Sequence, residues 1–187
     1  MVGSLHADSV TRAVVNHAAA QLRAAGCEVD VLDLDQDSLS LYNPETAYDQ
    51  PGFAALQARV AGADVFLLGT PDYHGSMSGA LKNFLDHFWH EFTGKLFTTL
   101  VASHEKGLTV TDQLRTVARQ CYAWSLPYGV AFADKIDVKE GLIVSEGLRQ
   151  RLAMMVRDAR IYGELLATQR RADLAGTEAG FMARLRK

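Results

Sequence analysis

Cysteine is nearly absent: Cys27 and Cys121 are the only two in 187 residues. They lie far apart and outside any Cys-x-x-Cys or zinc-ligand spacing, which argues against a disulfide framework and a dithiol redox site. Reduced thiols and a cytoplasmic location are the expectation. Missing too is any apolar run long enough to span a bilayer, and Met1 is not followed by a basic and then an apolar segment, so neither a membrane anchor nor export is expected. Positive charge is not in surplus: 19 Lys and Arg stand against 22 Asp and Glu, a net charge of -3, which argues against a general nucleic-acid partner. There is no internal repeat and no low-complexity tract. With 48% hydrophobic and 22% charged residues, the chain has the composition of one compact domain over residues 1–187. After Ala167 the apolar period fades, and residues 168–187 read as a polar tail that is loosely held or docked on another subunit.

What is present is organised around one stretch. The apolar run Val65 to Leu68 reads as a strand buried on both faces, and Gly69 with Pro71 ends it. The loop from Asp72 offers polar side chains and a free backbone at Gly75. Ser76 or Ser78 can cap the next helix, whose Leu81, Phe84, Leu85 and Phe88 fall on one face. A loop at the carboxyl end of a parallel strand, opening into a helix N-terminus, is where α/β proteins bind ligands.

Two further loops have the same setting. Ahead of a helical pattern carried by Val10, Val14, Ala18 and Leu22 and stopped at Gly26 stand Gly3, Ser4, His6 and Ser9. Ser9 is a natural N-cap, and this helix start can hold a phosphate through backbone N–H groups and the hydroxyls of Ser4, Ser9 and Thr11. After a second buried strand, Leu96 to Ser103, comes the loop Ser103-His104-Glu105-Lys106-Gly107, followed by a helix that Thr111 can cap. Cys27 to Leu34 alternates apolar and acidic residues, as in a strand nearer the sheet edge. Pro127 with Tyr128 to Phe132 reads as the last strand, Lys135 to Val144 as a connector, and Glu146 to Leu166 as a helix. Asp30, Asp33, Asp35 and Asp37 fit solvated charges better than a metal site, because a strand supplies no chelating loop. His87 with Glu91, and Asp86 with His90, are one helical turn apart, yet the two pairs point in different directions without a third ligand. Phe88 and Trp89 suit an aromatic anchor for a partner subunit. Cys121 falls on an apolar helix face, as a core residue does.

Pro71-Asp72-Tyr73-His74-Gly75-Ser76, followed by Gly79-Ala80-Leu81-Lys82-Asn83, resembles the flavin loop of the NAD(P)H-dependent FMN reductase family, with His74 standing where that family usually has Asn. Gly3-Ser4, with Ser9 five residues further on, resembles the same family's phosphate loop, with His6 and Ala7 in place of Arg and Lys. The likeness runs from about Gly3 to Leu166. It implies an α/β fold, a flavodoxin-like doubly wound parallel sheet in the order 2-1-3-4-5 with helices on both faces. It implies FMN as cofactor and NAD(P)H as co-substrate. The cofactor-binding residues it implies are Ser4, His6, Ser9, Val10 and Thr11 for the phosphate, and Pro71, Asp72, Tyr73, His74, Gly75 and Ser76 for the ring, with the Tyr73 to Ser76 N–H groups as donors. Ser103, His104 and Gly107 complete the set, and His104 or Lys106 either nears the pyrimidine edge or is solvated. No catalytic side chain and no metal are implied, and the acceptor is a small molecule: a quinone, an azo compound, free flavin or a metal oxyanion. A homodimer or homotetramer is expected. The alternatives are a flavodoxin-like electron carrier and a flavin-free interaction protein that keeps the fold.

One departure stands out. The phosphate loop of such a sheet follows its first, interior strand, but only Met1 and Val2 precede Gly3. The expectation is a sequence that begins downstream of its natural start and lacks most of that strand, leaving two strand edges exposed or filled by another molecule.

Overall fold

The computed structural model describes residues 1–186. Its helices are α1 (Val10–Ala24), α2 (Phe53–Gly62), α3 (Gly79–Asp86), α4 (Leu108–Gln120) and α5 (Glu146–Ala175). Strands β1 (Val65–Pro71) and β2 (Leu96–Ala102) run parallel in register from Val65 opposite Leu96 to Pro71 opposite Ala102. On its other side β2 pairs in parallel with two short pieces, β3 (Trp124–Ser125) and β4 (Val130–Phe132). The expected last strand is therefore interrupted, and its Pro127 and Tyr128 lie between the two pieces.

The side chains of β1 and β2 alternate between two cores, as the pleat requires. Phe66, Leu68, Phe97 and Val101 pack with residues of α2, α3 and α4; Leu96 and Leu100 pack on the opposite face with residues of α1 and α5. Burial on both faces explains the continuous apolar runs of these strands.

Val2 bridges in parallel to Asp33 on one side and to Gly69 of β1 on the other, which places it between the two. Residues 27–32, expected within an edge strand, form no strand, although Leu32 O accepts from Val2 N at 2.8 Å. Between them and β1 lies a cavity of about 800 Å³. Gly69 is needed here, since a Cβ on it would lie 2.4 Å from Val15 Cγ2; its bareness lets α1 press against β1.

Several sequence expectations change. Helix α3 stops at Asp86, with His87 as C-cap and a separate turn of 3-10 helix over His90–Phe92, so the two carboxylate–histidine pairs are not helical neighbours. The chain turns because Phe88 folds inward: it is buried and stacks on Phe53 at 5.6 Å between ring centroids. Phe88 is thus core, and Trp89 alone of the pair is on the surface, 52% exposed. Thr111 is not a cap; Gly107, at φ 59, precedes α4 directly. The 135–144 connector holds a hairpin, with β5 (Val138–Lys139) antiparallel to β6 (Leu142–Ile143). Helix α5 continues to Ala175, and a 3-10 turn over Phe181–Leu185 folds back on the chain itself, burying Met182. Met182 would meet a Cβ on Gly94 at 2.8 Å, and Arg170 Nε donates to Thr93 O at 3.0 Å. The tail is therefore held within the chain.

Candidate functional site

Three loops leave the carboxyl end of the sheet: residues 3–9 after Val2, 72–78 after β1, and 103–107 after β2. Hydrogen bonds join them. Ser78 Oγ caps α3 by accepting from Leu81 N at 3.1 Å and donates to Gly3 O at 2.5 Å, so one hydroxyl ties the first loop to the second. Ser103 Oγ donates to Asp72 Oδ2 at 3.0 Å, and Asp72 Oδ1 accepts from Gly75 N at 2.8 Å. Asp72 thereby binds the second loop to the third and fixes its own turn.

The first loop opens onto the start of α1. Ser9 caps it, its Oγ accepting from Arg12 N at 3.1 Å. The N–H groups of Val10 and Thr11 have no hydrogen-bond partner among the described residues, as expected of first-turn donors that await an anion or water. The Thr11 side chain is buried, its methyl beside Gly69. Ser4 is also buried, and its Oγ accepts from His6 N at 3.4 Å. His6 Nδ1 accepts from Asp8 N at 3.1 Å, so its ring carries the proton on Nε2 and keeps one donor free.

Arg12, absent from the sequence-derived set, organises this loop from behind. Its guanidinium donates to His6 O at 2.8 Å, Ala7 O at 2.9 Å and Ser4 O at 3.4 Å, while Nε donates to Asp33 Oδ2 at 2.5 Å. The bond to Asp33 raises Arg12 above its ordinary value, keeping the cation fixed. Such a role rests on contacts distant in sequence, and no local pattern announces it.

The second loop is a tight hairpin turn. Tyr73 N donates to Ser76 O at 2.9 Å and Ser76 N to Tyr73 O at 3.1 Å. His74 at φ 56 and Gly75 at φ 78 both occupy the left-handed region, the arrangement of a type I′ turn, where Asn-Gly is favoured. His74 therefore fills a position whose usual Asn has a backbone reason. Of the four N–H groups from Tyr73 to Ser76, three are already bonded within the protein, and only that of His74 has no partner among the described residues. Four ring donors were expected, and this conformation offers one. Pro71 ends β1, and Tyr73 is exposed.

Gln113 of α4, also missed in the sequence, clasps this turn: Oε1 accepts from Ser76 Oγ at 3.0 Å and from Met77 N at 3.3 Å, and Nε2 donates to Gly75 O at 3.3 Å. In the third loop Ser103 Oγ also accepts from Glu105 N at 3.1 Å. His104 and Lys106 are exposed, while Gly107 is buried with Val101 Cγ1 only 2.8 Å from where its Cβ would be.

A polar cradle of this kind, fed by a helix start and two turns at the carboxyl edge of a parallel sheet, is suited to a mononucleotide. The family model described as NADPH-dependent FMN reductase matches residues 1–137. The chain belongs to the NADPH-dependent FMN reductase family. Among relatives of this family, an FMN-dependent NADPH-azoreductase of Staphylococcus haemolyticus is 29% identical over 142 residues, covering 72% of this chain and 75% of the relative. The counterpart from Staphylococcus aureus is 26% identical over the same length. Among solved structures, a flavoenzyme NAD(P)H:(acceptor) oxidoreductase from Paracoccus denitrificans superposes with a TM-score of 0.70 at 21% identity, covering 88% of this chain and 94% of that one. An NADH:FMN oxidoreductase in its apo form superposes at 0.68 and 17% identity, with 86% of each chain covered. The reductase fold is thus shared along most of the chain.

The residues present fit the family's cofactor. The unpartnered N–H groups of Val10 and Thr11 suit a phosphate, and Gly3, where a Cβ would lie 2.7 Å from Gly69 O, keeps the loop low enough to receive it. No helix among the described residues is long and apolar enough to cross a membrane.

Proposed function

We propose that the chain is an FMN-dependent oxidoreductase that uses NAD(P)H to reduce a small acceptor such as an azo compound or a quinone. The observation that carries this reading is the joining of three loops at the sheet's carboxyl edge within a chain of this family. Bound FMN would supply the hydride and electron chemistry.

The protein's own part is binding, orientation and electrostatics. Ser4, His6 and Ser9, with the N–H groups of Val10 and Thr11, hold the phosphate end through donors and the helix dipole. Pro71, Asp72, Tyr73, His74, Gly75 and Ser76 border the ring. The His74 N–H is the donor available to stabilise negative charge there, and exposed Tyr73 offers an aromatic face at the ring edge. Ser103, His104 and Gly107 line the opposite side. Arg12 and Gln113 act as positioning residues, the first setting loop carbonyls and the second the hairpin turn. No side chain of this set is assigned as acid or base.

A homodimer or homotetramer in the cytoplasm accompanies this proposal, and surface-exposed Trp89 and Trp124 are the aromatic residues offered to a partner copy. Steady oxidation of NAD(P)H by the FMN-loaded chain with a soluble quinone or azo dye, without any partner protein, is the expected behaviour. Turnover that starts only when a second redox protein is added would favour an electron carrier instead.

A further inference from the structure

The segment after β4 stands at the same end of the sheet as the three loops. Ser103 N donates to Phe132 O at 2.9 Å, so the third loop and the exit of β4 leave the sheet side by side. Residues 133–145 then carry the β5–β6 hairpin, which leads into α5 and lies against α1, the helix whose start forms the mouth of the first loop. The hairpin is firmly held. Asp137 Oδ2 accepts from Ala133 N at 2.9 Å and Asp137 O accepts from Val144 N at 2.9 Å, which closes its foot. Glu140 and Gly141, both left-handed, close its tip. The matched residues of the family model end at Asp137, so that match assigns the rest of the hairpin no role.

Its two faces are unlike. Val138 pairs with Ile143, and both side chains are buried in the core that α1 and α5 share. Cross-strand partners share a face and neighbours along a strand alternate. The next pair, Lys139 opposite Leu142, therefore points the other way, and Val144 joins Leu142 there. Leu142 is 69% exposed and Val144 43%. Lys139 makes no ion pair among the described residues. Of the acids nearby, Asp134 and Asp137 turn their carboxylates to the N–H groups of Lys135 at 2.8 Å and Ala133 at 2.9 Å, and Glu140 stands at the tip. The outer face is thus an aliphatic surface beside an unpaired cation. A patch of this kind offers a few hundred Å² at most, short of the roughly 800 Å² per partner that a stable protein interface takes. It suits one flat ring with a negative group.

We propose that this outer face is the recognition wall for the acceptor, and that the acceptor it favours is a flat aromatic molecule bearing an anionic group, such as a sulfonated quinone or azo dye. Leu142 and Val144 pack against the ring, and Lys139 pairs with the anion. Because the hairpin rises beside the third loop, a ring resting on it is held at the mouth that the three loops share. The proposal rests on the reading of those loops as an FMN site and adds to it the residues that select the acceptor.

The test uses the FMN-loaded full chain with NADPH in excess and two probes, a naphthoquinone sulfonate and an uncharged methylnaphthoquinone. Leu142→Ser should raise KM for both by about fivefold. Lys139→Gln should raise KM by about threefold for the sulfonate alone, and added salt should reproduce that loss in the wild type. FMN affinity and the rate at which NADPH bleaches the bound flavin should stay the same in both variants. In the oxidised FMN-loaded chain, the methyl resonances of Leu142 and Val144 should shift saturably as the sulfonate is added. Unshifted methyls, a wild-type KM in Leu142→Ser, or a lysine variant that weakens both probes equally overturns the proposal. So does a sedimenting dimer that Leu142→Ser dissociates, since the face then belongs to a second copy. A chain that binds and bleaches FMN yet gives one of these results loses only the recognition wall, whereas a chain that takes up no FMN loses the reading beneath it as well.

Discussion

Ser103 Oγ donates to Asp72 Oδ2 at 3.0 Å across 31 residues of sequence, and through this bond the loops after β1 and β2 hold one relative position. Replacing Asp72 with alanine removes that bond and the acceptor for Gly75 N. Hydrogen bonds to a charged group contribute about 1.5–3 kcal/mol each, so FMN affinity should fall by at least about tenfold. Fluorescence titration of FMN measures this, and Asp72→Asn, which keeps an acceptor for Gly75 N, should recover part of the loss.

Arg12 gives a second test. Arg12→Lys keeps the charge but lacks the planar fork that reaches Asp33 and the carbonyls of His6, Ala7 and Ser4 together. The first loop should loosen, with FMN binding weakened about tenfold and stability reduced by about 1–2 kcal/mol. Urea unfolding with and without FMN separates the two effects, and unchanged FMN affinity would remove Arg12 from its positioning role.

At His74 the backbone is left-handed, φ 56, a conformation that Asn tolerates better than His and that β-branched residues resist. His74→Asn should stabilise the chain by up to about 0.5 kcal/mol, and His74→Val should destabilise it by about 1–2 kcal/mol. Denaturant midpoints of the two variants check the order.

Lys95 supplies a pH dependence. It is 1% exposed, Nζ donates to Val60 O at 3.0 Å and Ala61 O at 2.7 Å at the end of α2, and burial lowers it from 10.5 to about 8. Between these values the unfolded chain binds the extra proton, so the Lys95 contribution to stability rises with pH. Cys121 acts oppositely: burial raises its thiol from 9.0 to about 11, and the stability this confers is lost as pH rises through that range. Comparison with Lys95→Met isolates the lysine, since Cys121 is common to both. The stability difference should move toward wild type by on the order of 2 kcal/mol between pH 7.5 and 10; a constant difference would contradict the assignment.

Much of the fold was legible because its signals are local. Continuous apolar runs at Val65 and Leu96 announce strands covered on both faces, and Ser9 and Ser78 cap the helices that follow. The end of α3 was not legible, because helical spacing persists through Asp86 to Glu91 and only the packing of Phe88 on Phe53 bends the chain away. The 138–143 hairpin did carry a signal, Glu140-Gly141, both at positive φ, but its two-residue strands are too short to register as alternation. In the site, the motif residues were legible and their supports were not. Arg12 and Gln113 act through carbonyls and side chains distant in sequence, and the intraloop bonds of Tyr73, Gly75 and Ser76 depend on turn geometry.

The central claim is that the three loops form an FMN site serving NAD(P)H-dependent reduction. Its most direct test is the visible spectrum of the purified chain titrated with FMN and then with NADPH or NADH under anaerobic conditions. The account predicts protein-bound oxidised flavin bands that bleach on addition of the reduced nicotinamide and return when a quinone or azo dye is supplied. A chain that leaves the spectrum of added FMN unchanged would contradict the account.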